Sequence, residues 1–410
     1  MENWKKNTIL FLSGQTISLF GSMLVQYAIM WHITIKTQSA TTMSFFIIFG
    51  ILPIFFISPF GGVWADKFNK KIVINISDSI TALASLIVAF FFMFGFDSIS
   101  LLLFCSAIRA LGQGAQMPAV SSFIPEIVPQ KHLTRVNGIN GSIQSFAMIA
   151  SPMASGVLMT FLPLSAVFFI DVITAAIGIF ILAFFVKIAP KSSDAKQDKS
   201  NDKAKGVNYF NDLKEGIRYI KNHGFILRLI CISIIFFIAI SPSAFLTPLQ
   251  AARNFGAQVW RLTVIEVAFS GGMMLGGLLI GIWGGLKNKV YSMALACALI
   301  GIEVIALGLV NNFVIYTIIM ALAGLTVPFY SAPTTAMLQS KVEINYMGRV
   351  FSVFSMASSL MMPAGMLIFG PLGDIVSIDS LLIATGAITA CLSVPFISSK
   401  IIREAGKETV

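Results

Sequence analysis

Apolar runs long enough to cross a bilayer recur along this 410-residue chain, over 8–35, 41–65, 72–95, 99–118, 136–160 and 163–187, and again over 225–250, 263–286, 290–310, 313–338, 350–373 and 379–399. A helix needs ~20 predominantly apolar residues to span the hydrocarbon core. Lipid offers no partner for backbone N–H and C=O groups, so a spanning segment must close its hydrogen bonds within itself. Twelve membrane helices are therefore expected, six on each side of a polar break. A chain that is 56% hydrophobic and only 11% charged also has too little polar surface to fold in water at this length.

The formal charge of +10 invites a nucleic-acid reading, and its distribution argues against one. With the N-terminus inside, Lys5, Lys6, Lys67, Lys70, Lys71, Lys131, Arg135, Lys287, Lys289, Lys341, Arg349 and the basic tail all fall on the inner side, and only Lys36, Arg253 and Arg261 fall outside. That asymmetry places both termini in the cytoplasm of a multi-pass plasma-membrane protein. Trp4, Trp64 and Trp283 are expected at the inner interface, Trp31 and Trp260 at the outer one.

The organisation follows: an N-terminal six-helix bundle over 1–187, a linker over 188–224, a C-terminal six-helix bundle over 225–399 and a tail over 400–410. The first apolar run continues through Ile35 without a small-residue cleavage signal, so it reads as a retained helix. After Lys187 the composition turns to Lys, Ser and Asp with no large apolar residue, the signature of disorder. Tyr209, Phe210, Leu213, Ile217, Tyr219 and Ile220 then recur at near-helical spacing, predicting an amphipathic helix on the inner leaflet. Cys105, Cys231, Cys297 and Cys391 sit in apolar stretches at unrelated spacings and suggest neither disulfide nor metal. No phosphate-binding loop, catalytic triad or metal-ligand cluster is present, so no cofactor and no enzymatic activity are expected, and His32 reads as an interfacial residue.

Two loops carry one signature, Gly62-Val63-Trp64-Ala65-Asp66-Lys67-Phe68-Asn69-Lys70-Lys71 and Gly281-Ile282-Trp283-Gly284-Gly285-Leu286-Lys287-Asn288-Lys289, one in each half. Pro118 to Arg135-Val136 repeats as Pro333 to Arg349-Val350. A duplicated bundle of this kind is a transporter plan. At these residues the chain resembles the major facilitator superfamily, whose first-half loop reads G-x-x-x-D-R-x-G-R-R/K; Gly62, Asp66, Lys67, Asn69, Lys70 and Lys71 fill that pattern. The resemblance implies a loop that latches the halves on the cytoplasmic side. Physically, Gly62 would ease the turn, and Asp66 would cap a helix N-terminus and accept bonds from nearby cations. Gly285 stands where the second copy would carry its acid, so that latch is expected to be weaker.

Arg109 lies mid-span in the fourth helix, in Arg109-Ala110-Leu111-Gly112-Gln113-Gly114, which is similar to the family's R-x-x-x-G stretch. It should face a polar cavity or an acid, or else serve structurally on backbone carbonyls. In the fifth helix Gly138, Ala147, Ser151, Pro152, Ser155 and Gly156 fall on the register typical of exporters in this superfamily; the alternative is ordinary packing of small residues. The run from Pro118 to Pro129, Phe169-Ile170-Asp171, and Glu266 to Gly277 resemble the macrolide-efflux and enterobactin-exporter branch.

Gln15, Ser18, Ser22 and Gln26 form a polar stripe along the first helix, suited to lining a substrate cavity or to packing helices. Proton coupling requires an acid whose two forms favour different conformations. Glu266 is the first candidate, because the resemblance puts its helix between the halves. Asp171, with Arg109, and Glu303 follow as candidates better suited to structural pairing, and Asp78 is expected near the inner rim, solvated or beside Lys70 and Lys71. The expected function is secondary export of bulky amphiphilic, macrolide-like molecules by proton antiport and alternating access, with substrate, protons and lipid as the partners of a monomer. An endogenous siderophore, peptide or lipid is the alternative substrate; a nutrient importer and a non-transporting sensor stand further off.

Overall fold

The computed structural model describes residues 4–186 and 209–406, apart from the side chains of 209–213 and 344–345. The expected disordered segment therefore lies outside the described residues. Five helices, α1 Trp4–Thr37, α2 Ala40–Lys67, α3 Lys70–Met93, α4 Ile99–Ile127 and α5 Leu133–Phe161, lead into α6 Leu164–Phe180, which continues as a π-helical turn over Ile181–Phe185. After α7 Tyr209–Asn222 come α8 Gly224–Phe245, α9 Thr247–Phe255, α10 Val259–Trp283, α11 Lys289–Leu309, α12 Phe313–Lys341 and α13 Ile344–Ile375. The chain closes with α14 Ile378–Cys391, α15 Ser393–Ser398 and α16 Lys400–Ala405. Ser39, Asn69, Asn288, Asn312 and Ser377 start their helices by accepting hydrogen bonds from backbone N–H groups of the first turn.

Eleven helical spans among the described residues are long and apolar enough to cross a membrane. The twelfth, α4, is 29 residues long, with its apolar character diluted by Arg109, Gln113, Gln116 and Glu126. The seventh predicted span is broken in two. Pro242 cannot donate to the Ile238 carbonyl, the Ser241 hydroxyl takes that carbonyl at 2.8 Å, and Pro248 then opens α9.

In the first half α2 packs on α4, α3 on α4 and α6, and α1 on α5 and α6; the second half repeats the scheme with α10 on α12, α11 on α12 and α14, and α8 on α13 and α14. The halves meet through α2 with α13 and α5 with α10, pairs that exchange under the same two-fold relation. Glycine permits the closest approaches. A Cβ on Gly276 would strike the backbone of Leu325, whereas one on Gly277 would meet nothing within 4 Å. Backbone cannot swing aside as a side chain can, so Gly276→Ala is expected to destabilise the protein by about 1–3 kcal/mol. Thermal unfolding in detergent should show a lower midpoint for Gly276→Ala and an unchanged one for Gly277→Ala.

Lys67, Lys70, Lys289 and Lys341 mark one end of the molecule, called the basic end below. At the opposite end Asp97 pairs with Lys36 at 2.5 Å and with His32 at 3.1 Å. Partial burial pushes the Asp97 carboxyl upward, but the hydrogen bonds and charges of Lys36 and His32 outweigh it and hold the group below the usual carboxylate range.

Several expectations need correction. Trp31 is fully buried in the hydrophobic core, with its ring against Tyr27 one turn before it on α1. The amphipathic α7 covers protein: Tyr219 and Ile220 are buried, Tyr219 stacks on Tyr346 at 4.4 Å, and Glu215 meets Arg349 of α13 at 2.8 Å. Gly62 does not form the turn between α2 and α3, since α2 runs on to Lys67. Asp66 caps no helix N-terminus; it lies in the last turn of α2, and Asn69 caps α3.

Candidate functional site

The polar stripe of α1 faces its own bundle. Ser18, Ser22 and Gln26 line a cavity of about 320 Å³ together with Asp78 and Thr81 of α3 and Arg109, Gln113 and Gln116 of α4. Gln15 adjoins it, accepting a hydrogen bond from Gln116 at 3.3 Å. Gly112 and Gly114 bring α4 close to α3 and α2: a Cβ on the first would meet Ser77 and Thr81, one on the second Ile54 and Ile57. This crowding holds the wall of the cavity in place.

Arg109 is 5% exposed, and its two terminal nitrogens are engaged while Nε has no hydrogen-bond partner. Its Nη1 donates to the Asp171 carboxylate of α6 and to the Ser85 hydroxyl of α3, and its Nη2 to the Ser22 carbonyl at 3.0 Å. Asp171 has no exposed surface and accepts further bonds from Ser85 at 2.6 Å and Ser22 at 3.1 Å. Both sequence alternatives for Arg109 are thus met at once: an acid and a backbone carbonyl. A buried pair in such a network fastens α1, α3, α4 and α6 together and leaves neither charge bare.

Asp78 is not solvated at the rim, and it does not pair with the lysines of its own helix. Lys70 reaches Glu126 at 2.5 Å, while Lys71 donates to the Ala183 and Val186 carbonyls at 3.1 and 2.7 Å, where the π-helical turn leaves acceptors free. Asp78 lies two turns along α3, about 12 Å from Lys70. It is 5% exposed and accepts from Gln116 at 2.6 Å and from Ser18 at 3.4 Å. That distance along the helix was the available signal, and a sequence reading of rim against mid-span underweighted it.

In the second half Glu266 of α10 is half-buried and has electrostatic neighbours in both halves, Tyr27 of α1 and Tyr316 of α12. Tyr316 donates to Gln250 at 2.8 Å, and Gln250 donates to Asp379 at 2.7 Å. Glu303 instead accepts from Thr326 at 2.8 Å, which ties α11 to α12. The structure therefore separates the acid candidates: Asp171 and Glu303 hold helices of one half together, while Glu266 stands between halves.

The halves are fastened at the end away from the lysines. Asp374, at the end of α13, accepts from the Ser39 hydroxyl at 2.8 Å and from the Ala40 and Thr41 N–H groups at 2.7 and 3.0 Å, so a second-half carboxylate caps the N-terminus of α2. Arg253 bridges the same seam, donating to the Gln38 and Gly373 carbonyls at 2.5 and 3.0 Å and to Asp374 at 3.2 Å. No sequence pattern announces this seam, in which Asp374 meets partners 333–335 positions away and Arg253 partners 120–215 away.

Along α5 the burial changes from one end to the other. In α5 the far half is buried, with Ala147, Ser151, Pro152, Ser155 and Gly156 packed inward and Gly156 set against Thr263 of α10. Toward the basic end Gly138, Ile139, Ser142 and Phe146 are exposed, and with Thr16 and Arg135 they line a space of about 480 Å³. Gly138 touches nothing through its missing Cβ, so it does not share the packing role of Gly156. Gly62, Asp66 and Lys67 lie at this basic end, with Asp66 and Lys67 exposed. In the second copy Gly284 and Gly285 adopt φ of 72° and 81°, a left-handed turn that favours glycine over a side-chain-bearing residue.

Residues 9–366 match the family model described as Major Facilitator Superfamily. The chain is 30% identical to macrolide efflux protein A of Streptococcus pyogenes over 397 residues, covering 96% of this chain and 95% of that one. It is 21% identical to the multidrug efflux pump Tap of Mycobacterium bovis, over 97% of this chain and 92% of that protein. A bacterial homologue of the human lysosomal transporter Spinster, solved inward-facing and unoccupied, superposes with a TM-score of 0.70 at 13% identity, covering 99% of both chains.

Proposed function

The chain belongs to the major facilitator superfamily, and from that premise we propose that it exports bulky, amphiphilic, macrolide-like molecules in exchange for protons. It is a multi-pass membrane transporter and not an enzyme. The likeness to a macrolide efflux protein along nearly the full length of both chains carries the substrate class. With the basic end in the cytoplasm, as the charge asymmetry favours, a far seam closed by Asp374 and exposed basic-end faces on α5 support an inward-open state of an alternating-access cycle. An importer would share the cycle, but the small-residue register of α5, set against α10 at Gly156, resembles the exporter pattern and counts against it. We infer a monomer, since one chain supplies both six-helix bundles and the contacts between them.

Drug accumulation in cells with and without the chain tests this reading. Expressing cells should hold less macrolide, and an uncoupler should abolish the difference. Equal accumulation across a chemically broad panel would sink it.

We assign the coupling role to Glu266, because rocking of the halves changes its surroundings while Asp171 and Glu303 keep theirs. Glu266→Gln is expected to abolish uncoupler-sensitive efflux and leave the thermal midpoint unchanged. Wild-type efflux in that variant would remove the role from Glu266.

A further inference from the structure

One acid of the first-half cavity is left over when the structural pairs are counted out. Both hydrogen bonds to Asp78 converge on one carboxylate oxygen, Oδ1, from Gln116 and Ser18. Oδ2 is buried and accepts no hydrogen bond, although the Gln15 amide lies nearby. Buried carboxylate oxygens without a partner are rare in folded proteins, because each forfeits its hydration without return.

The charges around Asp78 do not neutralise it. On α3 itself, Lys70 is held by Glu126 and Lys71 by the carbonyls after α6. On α4 the only cation near the cavity is Arg109, which is committed to Asp171 of α6. The segment of α1 that lines the cavity contributes Ser18, Ser22, Gln26 and Tyr27, and α2 contributes Gly50, Ile51 and Ile54, none of them cationic. Arg109 and Asp171 cancel, so Asp78 in its ionised form leaves the cavity one negative charge in excess.

We propose that Asp78 is the anionic subsite for a positively charged group on the exported amphiphile, an organic monocation such as a substituted ammonium or phosphonium head. Gln26, Gln113 and Ser22 line the same space and supply oxygens that replace water around the entering cation. A space of about 320 Å³ receives a charged head and its nearest substituents, not a whole bulky molecule. Tyr27 lines this cavity on α1, and the remainder of the molecule lies outside it. This assignment rests on the export reading above and adds to it a charge preference and the residue that carries it.

Binding to the purified full-length protein in detergent, followed by calorimetry, tests the subsite with two probes of similar shape. Tetraphenylphosphonium is a permanent monocation, and triphenylphosphine oxide is neutral. Wild-type protein should bind the cation, Asp78→Asn should weaken it at least tenfold, and Asp78→Glu should restore most of the loss. The neutral probe should bind all three alike, which shows that the Asn variant keeps its cavity. Tetraphenylphosphonium binding that is absent from wild-type protein, or unchanged in Asp78→Asn, overturns the subsite, as does an equal weakening of both probes. Unchanged drug accumulation in cells alongside Asp78-dependent cation binding would sink the export reading and leave the subsite standing.

Discussion

Arg109→Ala is expected to be the most damaging single substitution in the first half, lowering stability by about 3–5 kcal/mol. It would leave Asp171, with no exposed surface, holding a charge answered only by the hydroxyls of Ser22 and Ser85. Folded domains have only about 5–15 kcal/mol in hand, so the variant should accumulate poorly and melt far below the wild type in detergent. Arg109→Lys should recover only part, because a single ammonium cannot reach Asp171, Ser85 and the Ser22 carbonyl in three directions at once. The double variant Arg109→Ala with Asp171→Ala should be more stable than Arg109→Ala alone, since no uncompensated charge remains. A fully stable Arg109→Ala protein that fails to transport would reverse the assignment and make this pair part of the coupling machinery.

The second large effect is conformational. Asp374→Ala removes the carboxylate that caps α2 from the opposite half and faces Arg253. Charge-assisted hydrogen bonds contribute about 1.5–3 kcal/mol where buried, and the seam is about 30% exposed at both Arg253 and Asp374, which discounts them. A net loss of about 2 kcal/mol moves the balance between closed and open far ends roughly thirtyfold. Spin labels on Phe96→Cys and Ala257→Cys, one in each half at that end, should report a longer distance distribution in Asp374→Ala than in the parent. Arg253→Ala should act in the same direction, and the double variant should show less than the sum of the two. Unchanged distances in both single variants would show that helix packing alone keeps the far end shut.

The first-half cavity was half legible. Gln15, Ser18, Ser22 and Gln26 could be placed on one face of a helix because their spacing of three and four is a property of the helix itself. Arg109 announced a polar partner because an unpaired guanidinium is too costly at mid-membrane. The identity of that partner was open, and so was the role of Asp78, because the ~12 Å to Lys70 along the helix argues against a pair with that lysine but does not tell an acid packed between helices from one turned into a cavity. Only the placement of α4 against α3, set by Gly112 on Ser77, decides between them.

Sequence alone determined the membrane class, the helix count and the duplication, since each follows from local rules: the length of an apolar run, the self-sufficiency of helical hydrogen bonds in lipid, and a motif that repeats. Its charge pattern also carries the expectation of sidedness. Tertiary structure decided which polar groups are spent on each other and which remain available. It joined Arg109 to Asp171 and Asp374 to the start of α2, left Asp78 with an unanswered oxygen, and set Glu266 between the halves. Those outcomes depend on distances between helices far apart in the chain, and in a low-dielectric interior a few ångströms separate a neutralised charge from one that can bind a ligand.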